Sequence, residues 1–217
     1  MRKGLMVLSL MLMVIWETTP RAAVAAVASP TAITSPNSER FVVVPAESQV
    51  IYRAGEVFFG QNNRFNVAVG TTNAIQGEVW IDRADPRRSR IGTITVNIST
   101  FKSDQDGRDN AIRTRWLESA RFPTAEFTPT AVHGLPDTYI PGREAHIGIV
   151  GNLRIREATK PVTFDATLKL DGNELRGAAK TTILMTDFGF TPPSLLGILK
   201  AQNQVNLEFR FIARASG

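Results

Sequence analysis

The residues of this sequence that could do chemistry are few and widely separated. His133 and His146 are the only histidines, neither has a second ligand at metal-binding spacing, and there is no cysteine. No serine nucleophile elbow, phosphate-cradling glycine loop or dinucleotide fingerprint occurs. The carboxylates are scattered along the chain, which leaves a two-acid mechanism open. We therefore predict no metal site, no cofactor and no catalytic residues.

Arginine is the charged residue with the clearest pattern. Of the 25 basic residues, 19 are arginine and 6 are lysine. The two clusters are Arg83, Arg87, Arg88 and Arg90 at one predicted hairpin, and Arg108, Arg113, Arg115 and Arg121 around a predicted helix. A guanidinium can bind two oxygens of one phosphate group. The pattern permits a phosphate or diphosphate headgroup or an anionic membrane surface, and the alternative is a solvated rim.

Composition excludes several classes of protein. A chain of 217 residues with 43% hydrophobic residues and a net charge of +5 is typical of a globular protein and not of a disordered one. The absence of cysteine excludes a disulfide scaffold, a thiolate metal centre and a cysteine nucleophile. A small net charge argues against a nucleic-acid partner. The length suits one domain with an appendage.

The N-terminus has the layout of a secretory signal peptide. Arg2 and Lys3 precede the apolar run 5–16, and a small-x-small cleavage pattern follows at 26–28. Twelve residues span about 18 Å as a helix, which is too short for a hydrocarbon core of about 30 Å. We predict a signal peptide over 1–28 with cleavage near Ala28, a flexible lead-in over 29–39 and one domain over 40–217. The mature protein is then secreted to the periplasm or the extracellular space.

From residue 41 onward, apolar and polar residues alternate with a period of two. The clearest runs are 75–82, 94–99, 144–155, 162–170 and 204–211. Such alternation predicts strands with one buried face. Turn residues at 84–87 and the Asp171-Gly172 pair predict hairpins between neighbouring strands. Long antiparallel strands in one chain favour a closed barrel of about eight or more strands, with a β-sandwich as the alternative.

Two segments depart from the alternation. Residues 109–120 place Ile112, Trp116 and Ala120 at helical spacing, with Asp106 or Asp109 as a cap, and predict one amphipathic helix. Residues 193–200 contain four large apolar side chains and predict a short second helix. That apolar segment packs on the barrel, forms a lid or touches lipid. The predicted fold class is therefore all-β with two helices.

Four ordered motifs resemble those of the YceI family of secreted, lipocalin-like proteins, over about 40–213. The first is Gly107-Arg108-Asp109-Asn110-Ala111-Ile112-Arg113 at the start of the predicted helix, which resembles Gly-Arg-Asp-x-x-Leu-Arg. The others are Phe122-Pro123 before a strand that contains Phe127, the segment 151–162 around Thr159-Lys160-Pro161-Val162, and Thr186-Asp187-Phe188-Gly189-Phe190.

The sequence also departs from the family pattern. Where the family typically has His-Gly, this chain has Arg156-Glu157, so a charged pair replaces a tight glycine turn. The family's early His-Ser is Glu47-Ser48 here, and many members lack the apolar segment 193–200. These departures bear on the choice of ligand and on the lid more than on the fold.

The resemblance implies an elongated barrel around an apolar cavity that binds a long isoprenoid or fatty chain. A barrel of about eight strands can enclose such a ligand. The implied cavity residues are Val79, Ile81, Ile94, Val96, Ile98, Trp116, Phe127, Ile149, Leu153, Phe164, Leu168, Phe188, Phe190 and Phe209, with Phe188 and Phe190 at the mouth. Arg108, Asn110 and Arg113 are the implied headgroup residues. For Arg108 and Asp109 the alternative is an ion pair or cap that holds the helix on the barrel.

The sequence thus supports a secreted binding protein that transports, stores or sequesters a polyisoprenoid, a quinone or a fatty-chain lipid. The alternative is a cell-envelope interaction domain with a filled core and no ligand. An enzyme that acts on a bound lipid, with Asp187 or a strand carboxylate as the catalytic group, is a weaker third hypothesis. The expected partners are the lipid ligand, an anionic membrane surface and a second copy in a homodimer, and nucleic acid is not among them.

Overall fold

A computed structural model describes residues 37–195 and 197–216 of the chain. Within these ranges thirteen strands form one antiparallel sheet, accompanied by one α-helix. The strands are β1 Ser38–Val43, β2 Gln49–Phe58, β3 Arg64–Thr72, β4 Ile75–Gln76, β5 Glu78–Asp82, β6 Arg90–Ile91, β7 Ile94–Asn97, β8 Thr124–His133, β9 Glu144–Ile155, β10 Ala158–Asp171, β11 Glu174–Leu184, β12 Ser194–Leu195 and β13 Leu199–Ala215. The helix α1 covers Asp106–Ala111 and continues as a π-helical turn over Ile112–Trp116.

The strand pairings close the sheet into a ring. Some consecutive short strands together occupy one position in the ring, and we call each such group a stretch. The groups are β1 with β2, β3 with β4 and β5, and β6 with β7, and each remaining long strand is a stretch by itself. Each stretch pairs with the next along the chain, and β13 pairs with both β1 and β2, so the last stretch returns to the first. This is the up-and-down antiparallel barrel that the alternation favoured. A sandwich would need two separate sheets.

Burial follows the alternation that the sequence showed. In β9, Ile147, Ile149 and Leu153 are buried while Asn152 and Arg154 are exposed. The buried residues form two apolar groups along the barrel. One contains Phe127, Leu153, Ile183 and Val205, and the other contains Phe41, Ile75, Leu175 and Ala213. Each strand thus contributes one face to the interior and one to the solvent.

The barrel has two distinct ends. At the helix end lie α1, the β2–β3 turn, the β9–β10 turn and the hairpin of β12 with β13. At the loop end lie the long connection 134–143 between β8 and β9, the β10–β11 turn at Gly172 and Asn173, and the β5–β6 connection. Both sequence-predicted hairpin turns, at 84–87 and at Asp171-Gly172, join strands that pair as expected.

The amphipathic helix exists, but its predicted bounds, 109–120, are wrong. Helix α1 begins three residues earlier, at Asp106, and the π-helical turn ends at Trp116. Gln105 occupies the N-cap position and no side chain caps the helix. The helix ends early because Glu118 adopts a left-handed φ of 46°, which no helical residue can have. Ala120 is consequently exposed and does not extend the apolar stripe.

The predicted second helix at 193–200 is wrong. The described residues of that segment form a hairpin in which Ser194 and Leu195 pair with Lys200 and Leu199. Gly197 has a φ of +69°, which suits a turn and not a helix. The apolar spacing misled the prediction because four apolar residues in a short run fit a helix or a hairpin equally well.

Two predictions concern residues outside the described ranges. The signal peptide over 1–28 with cleavage near Ala28, and the lead-in up to residue 36, lie there. Strand β1 begins at Ser38, which pairs with Asp82, so the barrel begins slightly before residue 40. No helix of the described part is long and apolar enough to cross a membrane.

Candidate ligand-binding cavity

An apolar cavity of about 1010 Å³ runs inside the barrel, and we refer to it as the chamber. Its wall includes Tyr139 and Ile140 from the loop end and Trp116, Phe190 and Ile198 from the helix end, so it extends along the whole barrel. Between them the wall is made of the inward side chains of the strands. Ligand sites in proteins are typically about 300 to 1,000 Å³, so the chamber can accept a large apolar molecule.

The structure places thirteen of the fourteen sequence-predicted cavity residues in the chamber wall. They are Val79, Ile81, Ile94, Val96, Ile98, Trp116, Phe127, Ile149, Leu153, Phe164, Leu168, Phe190 and Phe209. Phe127 and Phe164 meet edge to face there, with ring centroids 4.9 Å apart. For those that lie on strands, the period of two explains the placement because strand side chains alternate between the two faces. Ile98, Trp116 and Phe190 lie outside the strands, Trp116 in the π-helical turn.

Phe188 is the exception, and its predicted place at the mouth is wrong. Its side chain is only 2% exposed and packs within the apolar core, outside the set of residues that line the chamber. It ends the short 3₁₀ turn Met185–Phe188, and the following Gly189 has a left-handed φ of 74°. Phe190 returns to the chamber wall, so one member of the pair supports the core and the other faces the cavity.

Sequence reasoning missed the small residues that make the chamber possible. The wall contains alanines from six strands, namely Ala54, Ala68, Ala125, Ala145, Ala179 and Ala201. Large residues at these inward positions would fill the barrel, because protein interiors otherwise pack to crystal-like density. The signal was present in the sequence, since an alanine that replaces a large residue in an alternating run indicates unfilled space rather than a packed core.

Arg108 is the only one of the three predicted headgroup residues that lines the chamber. Asn110 is exposed, and the Arg113 Nη1 donates to the carbonyl of Phe101 at 3.3 Å. Both face away from the chamber wall because α1 presents only one side to the barrel. The predicted headgroup role of Asn110 and Arg113 therefore has no support in their positions.

The guanidinium of Arg108 is committed to protein acceptors. Its Nε and Nη2 donate to the two carboxylate oxygens of Glu56 at 3.3 Å and 3.1 Å, and its Nη1 donates to Ser103 Oγ and Asp104. Burial opposes the charge of Arg108, but its hydrogen bonds to Asp104 and Glu56 outweigh burial and raise its pKa above the ordinary value. Asn66 donates to Glu56 as well, at 3.4 Å. The alternative interpretation of Arg108, an ion pair that holds the helix on the barrel, matches this geometry.

Asp109 fixes the segment that precedes the helix. Its carboxylate is 4% exposed and accepts hydrogen bonds from the backbone N–H and the hydroxyl of Ser103, the latter at 2.6 Å. The Tyr52 ring packs edge to face on Phe101 nearby and lies over Gly70, where a Cβ atom would be 2.1 Å from the ring. Burial and the negative charge of Asp109 raise the pKa of Tyr52 to about 12, so this phenol stays protonated.

The Arg156-Glu157 pair, which replaces the family's glycine turn, joins the barrel to the helix. Arg156 has a left-handed φ of 56° at the β9–β10 turn. Its Nη1 donates to the carbonyl of Trp116 at 3.1 Å, its Nη2 pairs with Glu118, and its guanidinium lies 5.4 Å from the ring of Phe190. One side chain therefore ties together three elements that cover the helix end of the chamber.

At the loop end, a second arginine performs a similar task. Arg83 makes two hydrogen bonds to Glu39, at 2.8 Å and 2.9 Å, and also donates to the hydroxyl of Tyr139 and the carbonyl of Gly172. Because Tyr139 belongs to the 134–143 loop, these bonds hold that loop over the chamber. Arg87 and Arg88 also pair with Asp85, and Arg121 pairs with Glu157, so most arginines of the two predicted clusters already bind carboxylates of the protein. This supports the solvated-rim interpretation for the exposed ones over a phosphate site.

No group of three or more potential metal ligands occurs among residues 37–195 and 197–216. His146 is exposed and its Nδ1 lies 3.1 Å from the hydroxyl of Thr167 on the next strand. His133 is also exposed, at the end of β8. Neither histidine is placed to contact a molecule in the chamber.

The fold and the chamber define a lipocalin-like barrel with an internal apolar cavity. A model of the YceI-like domain matches residues 41–213, and the chain therefore belongs to the YceI-like family. A protein named UPF0312 from Pseudomonas fluorescens is 32% identical over 131 residues, which cover 57% of this chain and 64% of the relative. The protein YceI of Salmonella newport is 28% identical over 138 residues, covering 60% of this chain and 68% of the relative. The chain thus spans slightly less than two thirds of the Pseudomonas relative.

Solved structures show the same fold at low sequence identity. A polyisoprenoid binding domain from Saccharophagus degradans is 11% identical with a TM-score of 0.61, and the match covers 82% of this chain and 99% of that domain. BcnA of Burkholderia cenocepacia is 17% identical with a TM-score of 0.58, covering 78% of this chain and 98% of BcnA. At such identities the likeness concerns the fold.

Proposed function

We propose that this protein binds a long apolar chain, of the polyisoprenoid class, inside the barrel and carries it through an aqueous compartment. The observation that supports this most is the chamber of about 1010 Å³, lined along its length by apolar side chains. Transfer of a chain from water into such a space is favourable by about 0.8 kcal/mol for each buried methylene group. The related domain from Saccharophagus degradans, described as polyisoprenoid-binding, agrees with this choice of ligand class.

The chamber favours recognition of the chain over recognition of a charged headgroup. Arg108 reaches the wall, but Glu56 and Asp104 occupy its donors, and Asp109 adds a further negative charge nearby. A phosphate placed beside these carboxylates would be repelled. We therefore infer that a polyprenol, a quinone or a fatty amide fits this site better than a polyprenyl diphosphate does.

The proposed role is that of a binding protein, not an enzyme, and its place is outside the cytoplasm. The chamber wall is mostly apolar, and two of the carboxylates that reach it, Glu56 and Glu208, are held in ion pairs with Arg108, Arg53 and Arg210, which suits holding a ligand better than acting on it. The signal-like N-terminus and membership of the YceI-like family support export to the periplasm. The filled-core interaction domain is disfavoured because the interior is not filled.

Mass spectrometry of the purified protein, both native and after organic extraction, tests this proposal. We expect a co-purifying lipid at one molecule per chain, or saturable binding of an apolar fluorescent probe that polyprenol, ubiquinone or a fatty amide displaces. A protein that carries no lipid, and from which none of these three molecules displaces the probe, would overturn the proposal.

A further inference from the structure

Two hairpin turns lie side by side at the helix end of the barrel. The first follows β2 at Phe59–Gln61, and the second joins β12 to β13 around Gly197. The backbone N–H of Phe59 donates to the carbonyl of Ile198 at 2.9 Å, and Phe58 pairs with Leu199. The two turns are therefore held together as one projecting unit.

This unit exposes large apolar side chains. Phe59 is 45%, Leu195 49% and Ile198 58% exposed, and we call these three residues the apolar tip. Leu195 and Ile198 also line the chamber, together with Phe58, Pro193 and Leu199. The apolar surface of Leu195 and Ile198 thus continues from the inside of the barrel to its outer end.

The two hairpins carry positive charge and no carboxylates. The sequence contains no Asp or Glu from residue 57 to 77 or from 188 to 207, whereas Arg64 and Lys200 fall within these segments and are exposed. The guanidinium of Arg64 lies 5.7 Å from the ring of Phe58, at the base of the tip. The loop end carries arginines as well as carboxylates, and Arg87 there pairs with Asp85 and Asp137. The two tip hairpins differ in that their own segments contain cations but no carboxylate.

We propose that the apolar tip docks on an anionic lipid bilayer and that the ligand passes between the bilayer and the chamber through it. The proposal rests on the proposed function, because it concerns the route of the same ligand. Apolar side chains flanked by cations are the surface that binds best to the interface of an anionic membrane. A chain that moves along the continuous apolar surface of Leu195 and Ile198 does not have to cross water. A protein partner is the less suitable occupant, because the exposed apolar side chains stand beside the cations Arg64 and Lys200, which match an anionic lipid surface.

Vesicle flotation tests the proposal with the full mature protein. The probes are vesicles of phosphatidylcholine alone and of phosphatidylcholine mixed with phosphatidylglycerol. We expect binding to the mixed vesicles, weaker binding to the neutral ones, and loss of binding as salt is raised. The tip variant Phe59→Ser, which changes the tip residue that lies outside the chamber wall, should bind at least tenfold less. The variant Arg64→Gln/Lys200→Gln should bind both vesicle types equally weakly.

Ile140→Ser is the matched control. Ile140 is as exposed as Phe59, at 45%, but it lies at the loop end. We expect this variant to bind vesicles as the parent does. Absence of vesicle binding by the parent would overturn the proposal, and so would an equal loss in the control and the tip variant.

Probe displacement in solution separates this proposal from the proposed function. The tip variant should still bind polyprenol in the chamber, while transfer of polyprenol from mixed vesicles to the protein slows at least tenfold. If the parent binds mixed vesicles through the tip but takes up no chain, the proposed function fails and docking stands. If polyprenol transfer from vesicles is equally fast for the parent and the tip variant, the route through the tip is wrong.

Discussion

Arg108 of the helix and Glu56 of β2 form a two-point ion pair inside the barrel wall, with Nε–Oε1 and Nη2–Oε2 distances of 3.3 Å and 3.1 Å. The side chains are only 10% and 9% exposed. A pair in this position fixes the helix over the chamber, because a buried charge without its partner is strongly unfavourable. Because Arg108 is already paired with Glu56, its presence in the chamber wall does not indicate an anionic ligand.

Removal of one partner of this pair should destabilise the protein. We expect Arg108→Met to lower the free energy of unfolding by about 2–3 kcal/mol, because it leaves Glu56 buried with only Asn66 as a donor. The double variant Arg108→Met/Glu56→Leu should regain most of this loss. Urea denaturation gives the free energy of unfolding of the parent, the single variant and the double variant. A double variant less stable than Arg108→Met would contradict the prediction.

A large side chain introduced into the chamber should block the ligand. Leu168 lines the chamber on β10, so Leu168→Trp places an indole ring in the path of a long chain. We expect at least tenfold weaker binding of polyprenol, measured by probe displacement, with an unchanged circular dichroism spectrum. Asp165→Trp adds the same ring to the exposed face of the same strand and should bind normally. Unchanged binding by Leu168→Trp would mean that the ligand lies elsewhere.

Arg156 should show two separable contributions to stability. Arg156→Ala removes the contacts to Trp116, Glu118 and Phe190 but keeps a side chain at a left-handed φ, and we expect a loss of about 1–2 kcal/mol. Arg156→Gly removes the same contacts but tolerates that φ, so it should be more stable than the alanine variant by about 0.5–1 kcal/mol. Thermal and urea denaturation rank the three proteins by stability. A glycine variant less stable than the alanine variant would contradict this prediction.

Tyr52 should make the stability fall at high pH. Its pKa is raised to about 12 in the folded state by burial and by Asp109, against about 10 in the unfolded chain. The unfolded state therefore loses the phenolic proton first, and the stabilisation that is complete below pH 10 is lost as pH rises toward 12, by up to about 2 kcal/mol. Denaturation at several alkaline pH values, with phenolate absorbance as a second reading, measures this loss.

Tyr52→Phe is the control for that pH dependence. The Tyr52 hydroxyl is buried, and no hydrogen-bond partner reaches it among the described residues. The neighbouring Ser103 hydroxyl already donates to Asp109 and accepts from Arg108 and from the backbone of Gln105. We expect the variant to be at least as stable as the parent at neutral pH and to lose less stability above pH 10. An equal loss in both proteins would assign the effect to other groups.

The sequence by itself determined the barrel and most of the chamber wall. Alternation fixes which residues of a strand face inward, so the placement of residues such as Val96, Leu153 and Phe209 followed from a local rule of backbone geometry. The four family motifs of the sequence also indicated the family correctly, since the family model matches residues 41–213. Such predictions depend only on residues that are close together in the sequence.

The tertiary structure alone decided what the other residues do. Arg108 meets Glu56 from 52 positions away, and Arg156, at the β9–β10 turn, meets Phe190, which follows β11, so no local spacing could pair them. The segment 193–200 became a hairpin because Ser194 and Leu195 pair with the first residues of β13, and Phe188 packs in the core and not at the mouth. Whether the barrel encloses a chamber also depends on the summed volume of inward side chains from all strands. That sum is a property of the closed ring and of no single segment.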